Sequence, residues 1–147
     1  MIQVEMKKSG FSILEALTSM FVLAVVVGIM SMPFINISPK YQLKKAVWEV
    51  NSRMHYARYK AIFDGVKYRI KFGPTSYVVE KYNEIQNKWI CEQTFFLEAV
   101  SIQANNSPTF HPKGTVSNLA TIIISNSGGE YKITLAISGR IKVVQIK

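Results

Sequence analysis

The chain has 147 residues, 48% of them hydrophobic, and 18 Lys and Arg against 9 Asp and Glu give a net charge of +9. That length fits one modest domain plus a short extra segment, and it excludes a second full domain. Cys91 is the only cysteine, which excludes an intramolecular disulfide and any thiolate-rich zinc site.

The charge is unevenly placed. Lys7 and Lys8 precede a run from Ala16 to Pro39 that holds no charged residue, and Glu15 stands just before it. Six basic and two acidic residues follow between 40 and 65, then ten and five from 66 to 147. A surface of this kind meets nucleic acid, anionic headgroups or an acidic partner, or is simply a solvated basic face.

At a rise of about 1.5 Å per residue, the apolar run is long enough for a hydrocarbon core of roughly 30 Å. Glu15 is the anomaly, because a carboxylate in a span costs roughly 2.5–3.5 kcal/mol and by default marks a function. Three readings compete for residues 1–39. A secretory signal accounts for the basic start, but the apolar run exceeds a usual h-region, and Ser31-Met32-Pro33 is a poor cleavage site. A plain single-pass anchor, held N-terminus inward by Lys7 and Lys8, leaves Gly10-Phe11 and Glu15 without a purpose.

The third reading uses those residues. Gly10-Phe11-Ser12-Ile13-Leu14-Glu15 resembles the processing motif of type IV pilins and the pseudopilins of type II secretion. The resemblance implies a leader of residues 1–10, cut after Gly10 by a prepilin peptidase that also methylates the new amine of Phe11. It places Glu15 fifth in the mature chain, where it is an assembly residue. In a stack of parallel helices its partner would be the Phe11 amine of a neighbouring subunit, a pairing that would offset part of the desolvation cost of both charges; the alternative is a Glu15 neutralised by protonation or by its own chain's amine. Ser12 stands where threonine is usual in that family, a mild departure.

Along the chain, Gly28 and Pro33 bracket a stretch able to loosen. Ser38-Pro39 reads as an N-cap with proline at the first helical position. Leu43, Val47, Val50, Met54, Ala57 and Ala61 then recur at spacings of four and three, one apolar stripe ending at Asp64-Gly65. That stripe is expected in the core, with a coiled-coil partner as the alternative. Lys45, Arg53 and Lys60 lie off it.

From Val66 to Phe72 the period becomes two, with Lys67, Arg69 and Lys71 outward. Further strands are predicted at Tyr77–Tyr82, Lys88–Cys91, Ala99–Gln103, Ala120–Ser125, Tyr131–Ser138 and Arg140–Ile146. Turns are expected at Gly73–Ser76, Asn83–Asn87, Asn126–Gly129 and Ser138-Gly139. The expected fold is α+β, a long N-terminal helix packed on one antiparallel sheet. The segments are a leader (1–10), an apolar transmembrane helix (11–37), an amphipathic helix (38–65) and a sheet head (66–147), the last two forming one domain.

Phe110-His111-Pro112-Lys113-Gly114 and the terminal Gly139-Arg140-Ile141-Lys142 strand are similar to features of the GspH/FimT group of minor pseudopilins. The resemblance implies a structural subunit of a type II secretion pseudopilus or type IV pilus. It would sit in the inner membrane with its N-terminus cytoplasmic and its head outside, partnered by the peptidase and other pilin subunits. The lone Cys91 argues against a main shaft subunit, whose C-terminal loop is closed by a disulfide. An alternative, DNA capture during transformation, puts contacts at Arg140 and Lys142, with Lys113 or Lys132 beside them. Charges guarding an edge strand would look the same. A membrane-anchored binding module outside any filament is the remaining alternative.

No catalytic constellation is visible, and no cofactor or metal is expected. His55 and His111 read as surface or structural, Cys91 as a small core residue, and Trp48 and Trp89 as packing or interface residues.

Overall fold

The computed structural model describes residues 12–31 and 38–146. The chain divides into two units, Met1–Ile37 and Ser38–Lys147.

In the first unit lies helix α1, Ile13–Ser31. From Ser12 to Ile29 every side chain is exposed, Phe21 to 71% and Leu14 to 72%. The 19 residues reach about 28 Å at the α-helical rise, just under the thickness of a hydrocarbon core. Among the described residues, no helix is long and apolar enough to cross a membrane. Pro33 lies outside the described residues.

In the second unit, helix α2 runs Pro39–Asp64 and is followed by Gly65 at φ 70°, the left-handed C-terminal glycine expected of Asp64-Gly65. At its start the Ser38 side chain makes no capping bond. The Ser38 carbonyl accepts from the Tyr41 and Gln42 amides instead. The predicted stripe is buried in full, with Ala46 added, and Met54, Ala57 and Ala61 are wholly inaccessible.

Nine strands follow among the described residues: β1 Tyr68–Phe72, β2 Ser76–Asn83, β3 Lys88–Phe96, β4 Ser101–Ala104, β5 Thr109–Phe110, β6 Val116–Ser117, β7 Thr121–Asn126, β8 Gly129–Leu135 and β9 Ile141–Gln145. They form two antiparallel sheets rather than the one expected, in the orders β3-β2-β1-β5-β6 and β4-β7-β8-β9. The α+β class stands. The two-residue strands β5 and β6 are too short to show an alternation, so the sequence reads there as a loop.

The inward faces meet α2. Tyr68, Ile70, Tyr77, Val79 and Phe110 come from the larger sheet, and Ile102, Ile122, Ile124, Ile133 and Leu135 from the smaller; all are buried with the α2 stripe in one core. Burying each such side chain stabilises the fold by about 1.5–3 kcal/mol. Alternation holds in and just before β1, where Tyr68 and Ile70 are buried while Lys67, ahead of the strand, and Lys71 are exposed.

Cys91 is exposed, contrary to the core position expected of it. The cause is its place on edge strand β3, where both faces are open and Ile90 too is 45% exposed, and a bulge sets which face it takes. Val79 pairs with Gln93 and the next residue, Glu80, with Cys91, so Glu92 is skipped. One extra residue moves Cys91 to the outer face, where its Sγ lies 3.6 Å from Thr94 Oγ1.

Candidate assembly surface and the Arg58 clamp

The sequence points to five site residues. Gly10 and Phe11 lie outside the described residues. Glu15 is in the first turn of α1 and exposed, where the helix dipole favours an anion. Its carbonyl accepts from Thr18 Oγ1 at 3.0 Å and Ser19 Oγ at 2.7 Å. Both bonds turn hydroxyls of the apolar helix back on its own backbone.

Arg140 and Lys142 are exposed on the β8–β9 connection and on β9, an edge strand. No ion pair joins either to an acid among the described residues. Register sets the faces. Ile141 and Val143 pair with the buried Leu135 and Ile133, while Lys142 and Val144 pair with Thr134 and Lys132 on the opposite face. Lys142 and Lys132 are therefore diagonal neighbours across two strands.

Arg58, on α2, is the residue that sequence reasoning missed. Its Nε donates to the Gly114 carbonyl at 3.1 Å, Nη2 to Ser138 at 3.0 Å and Nη1 to Gly139 at 3.4 Å. One planar guanidinium thus closes three carbonyls, in a donor fork that lysine lacks. The arrangement needs both glycines. Gly114 and Gly139 have φ 78° and 79°, and a Cβ on Gly139 would stand 2.5 Å from Arg58 Nε and 2.9 Å from the Gly114 carbonyl oxygen. The Phe110–Gly114 and Gly139–Lys142 motifs, separate in sequence, meet on this side chain. The neighbouring His111 is held by its own bond, Nε2 to Ser117 Oγ at 2.7 Å.

The far end of α2 is tied by Asp64. Its Oδ2 accepts from Tyr68 Oη at 2.6 Å and Lys81 Nζ at 3.1 Å, with Lys60 Nζ 3.7 Å from Oδ1. These partners, the Tyr68 hydroxyl foremost and then Lys81, hold the carboxyl below its ordinary range. Burial first, and the Asp64 bond second, push the Tyr68 hydroxyl upward. The same pattern recurs at Tyr77, raised by burial and then by its 2.9 Å bond to Glu49.

The outer face of the larger sheet carries a ladder of cations and rings. Arg69 pairs with Glu80 and lies 4.3 Å from the Trp89 ring, which meets Tyr82 edge-on at 5.1 Å. Trp89 is thereby a packing residue, while Trp48 is 73% exposed. Among the described residues no group of three His, Cys, Asp or Glu side chains is placed to hold a metal.

No protein-family model and no curated protein matches the sequence. Solved structures do match in shape. One structure of the minor pseudopilin EpsH from the type II secretion system of Vibrio cholerae aligns over 71% of this chain and 97% of its own, with 13% identity and a TM-score of 0.61. A second, a crystal structure of the same protein, aligns over 73% and 96%, with 14% identity and a TM-score of 0.62. The head built on α2 and its two antiparallel sheets has the pilin-like fold of that minor pseudopilin.

Proposed function

We propose that the chain is a minor pilin or pseudopilin, a structural subunit of a type II secretion pseudopilus or type IV pilus. The observation that carries this reading is one chain joining a pseudopilin-like head to a basic leader, Gly10-Phe11 and a carboxylate at Glu15 ahead of an uncharged run. The apolar sequence extends beyond α1 on both sides, to Phe11 and to Ile37. That length anchors the precursor in the inner membrane with its N-terminus cytoplasmic and its head outside.

Processing frees an α-amine on Phe11 with an ordinary pKa of about 7.7–8.0, largely cationic near neutral pH. Methylation keeps it ionisable. In a stack of parallel helices Glu15 of one subunit then meets Phe11 of the next and sets their register. Mass spectrometry of the protein from cells containing the peptidase is the direct test. A chain beginning at methylated Phe11 is expected, and an intact Met1 overturns the proposal. Glu15→Ala should insert normally, since a costly charge is gone, yet fail to enter filaments. Normal incorporation removes the register role.

A second reading, nucleic-acid capture, is favoured by the exposed Arg140 and Lys142, which no ion pair joins to an acid among the described residues. It predicts weak duplex binding that falls steeply with salt and is lost in the Arg140→Ala/Lys142→Ala double variant. Binding unaffected by salt or by that variant overturns it.

A further inference from the structure

Helix α2 carries two stripes. The buried one runs Leu43, Val47, Val50, Met54, Ala57, Ala61. The second has the same alternation of four and three: Tyr41, Lys45, Trp48, Ser52, His55, Tyr59, Ile62. At 3.6 residues per turn the two lie on opposite sides of the helix. Every residue of the second stripe is exposed, Tyr41 to 64%, Trp48 to 73% and Tyr59 to 61%. Phe63, 73% exposed, extends it by stacking on Tyr59 at 5.8 Å.

Charge on this face has one sign. Lys44 and Lys45 are exposed on it, and no ion pair joins either to an acid among the described residues. The two acids of α2 are turned elsewhere, Glu49 to Tyr77 and Asp64 to Tyr68 and Lys81. Aromatic rings with lysines beside them and no carboxylate are the composition of a helix that lies in a bilayer interface. Position fits as well, for α2 begins directly after the uncharged run.

We propose that this face of α2 is a lipid-binding surface. Before assembly the second unit rests on the membrane through Tyr41, Trp48, Tyr59 and Phe63, with Lys44 and Lys45 on anionic phospholipid headgroups. The inference rests on the membrane anchoring under "Proposed function" and adds a second, reversible contact to it. Each lysine drawn to an anionic surface strengthens such a contact several-fold. Entry into a filament must then break it, so lipid charge sets how readily the subunit leaves the membrane.

Trp48 and Trp89 are the only tryptophans, so Trp89→Phe leaves Trp48 as the sole reporter. The full chain is reconstituted in vesicles of phosphatidylcholine alone or with phosphatidylglycerol, and Trp48 is quenched with brominated lipid or aqueous acrylamide. With phosphatidylglycerol, Trp48 is expected to be reached by the brominated lipid and shielded several-fold from acrylamide. High salt, or Lys44→Gln/Lys45→Gln, should reverse both. If Trp89→Phe fails to fold, a fluorophore on Ser52→Cys in a Cys91→Ser background gives the same reading on the same stripe.

Equal acrylamide access in both lipids overturns the inference. So does shielding that ignores lipid charge but grows with protein density, which would mean that another protein helix covers the face. Alkaline carbonate washing separates the two levels. A chain retained by the membrane with Trp48 open sinks only this inference, whereas a chain washed off sinks the anchoring beneath it.

Discussion

Helices α1 and α2 are both rich in apolar residues, yet they use them in opposite ways. In α1, Ile13, Leu17, Phe21 and Val25 are all exposed, and apolar residues occupy every side of the helix. In α2, apolar side chains fall into a buried stripe against two sheets and an aromatic stripe facing out. Hydrophobicity alone therefore does not place a residue in a core. Periodicity does, because only a helix with a polar remainder can bury one side and solvate the other.

The sharpest way to break the comparison is to truncate one apolar side chain in each helix. Met54 is wholly inaccessible in the shared core, so Met54→Ala leaves a cavity and should cost about 2–5 kcal/mol. Leu17, 61% exposed, leaves none. Denaturant unfolding of the full chain in detergent, followed by Trp89 emission in a Trp48→Phe background, checks this. A large shift for Leu17→Ala, or none for Met54→Ala, would dissolve the distinction.

A smaller effect is expected at Arg58, which gives α2 its hold on two turns. Arg58→Ala leaves the Gly114, Ser138 and Gly139 carbonyls without this donor, and a hydrogen bond to a charged group contributes about 1.5–3 kcal/mol net of its exchange for water when it is shielded from solvent. The net loss should fall near the lower end of that range, since the Ser138 bond is exposed. Hydrogen exchange gives the more specific readout. The Gly114 and Gly139 amides, which donate to the His111 and Ala136 carbonyls, should open together, while β1 amides stay protected. Arg58→Lys should restore little, because an ammonium lacks the planar fork. Independent opening of the two turns would show that Arg58 does not couple them.

How much of this was legible depended on the range of the signal. The α2 stripe, its end at Gly65 and the alternation of β1 are local patterns, and the chain adopts them. Cys91 was expected in the core as a small apolar residue of a strand, but β3 is an edge strand open on both faces there, a tertiary fact that residue type does not carry. β5 and β6 were hidden by their length. Arg58 was hidden by distance, since its acceptors lie 56 to 81 residues away. The only local hint was a glycine in each turn at a position that requires positive φ. The outward aromatic stripe has the same spacing as the buried one, and spacing alone does not say which of two such stripes faces the core. For the site residues the division is plainer: sequence supplied the motif at Gly10, Phe11 and Glu15, and the fold supplied the head that gives the motif a context.

Two glycines offer the finest contrast between the helices. A Cβ at Gly28, inside α1, would meet nothing within 4 Å among the described residues. A Cβ at Gly128, in the β7–β8 turn, would stand 2.6 Å from the Lys40 amide nitrogen and 2.7 Å from the Pro39 carbonyl carbon. That turn is already bonded to the start of α2, with Asn126 Nδ2 donating to the Pro39 carbonyl at 2.9 Å. Gly128→Ala must therefore push the turn and the helix apart, a strain of about 1–3 kcal/mol. Gly28→Ala meets no such obstacle and should stabilise α1 by up to about 1 kcal/mol through helix propensity. Head unfolding should register only the first substitution, and the helical signal of the full chain in detergent only the second. A destabilised head in Gly28→Ala would mean that α1 and the head do not unfold independently, and the contrast between an apolar helix and a core helix would then have to be redrawn.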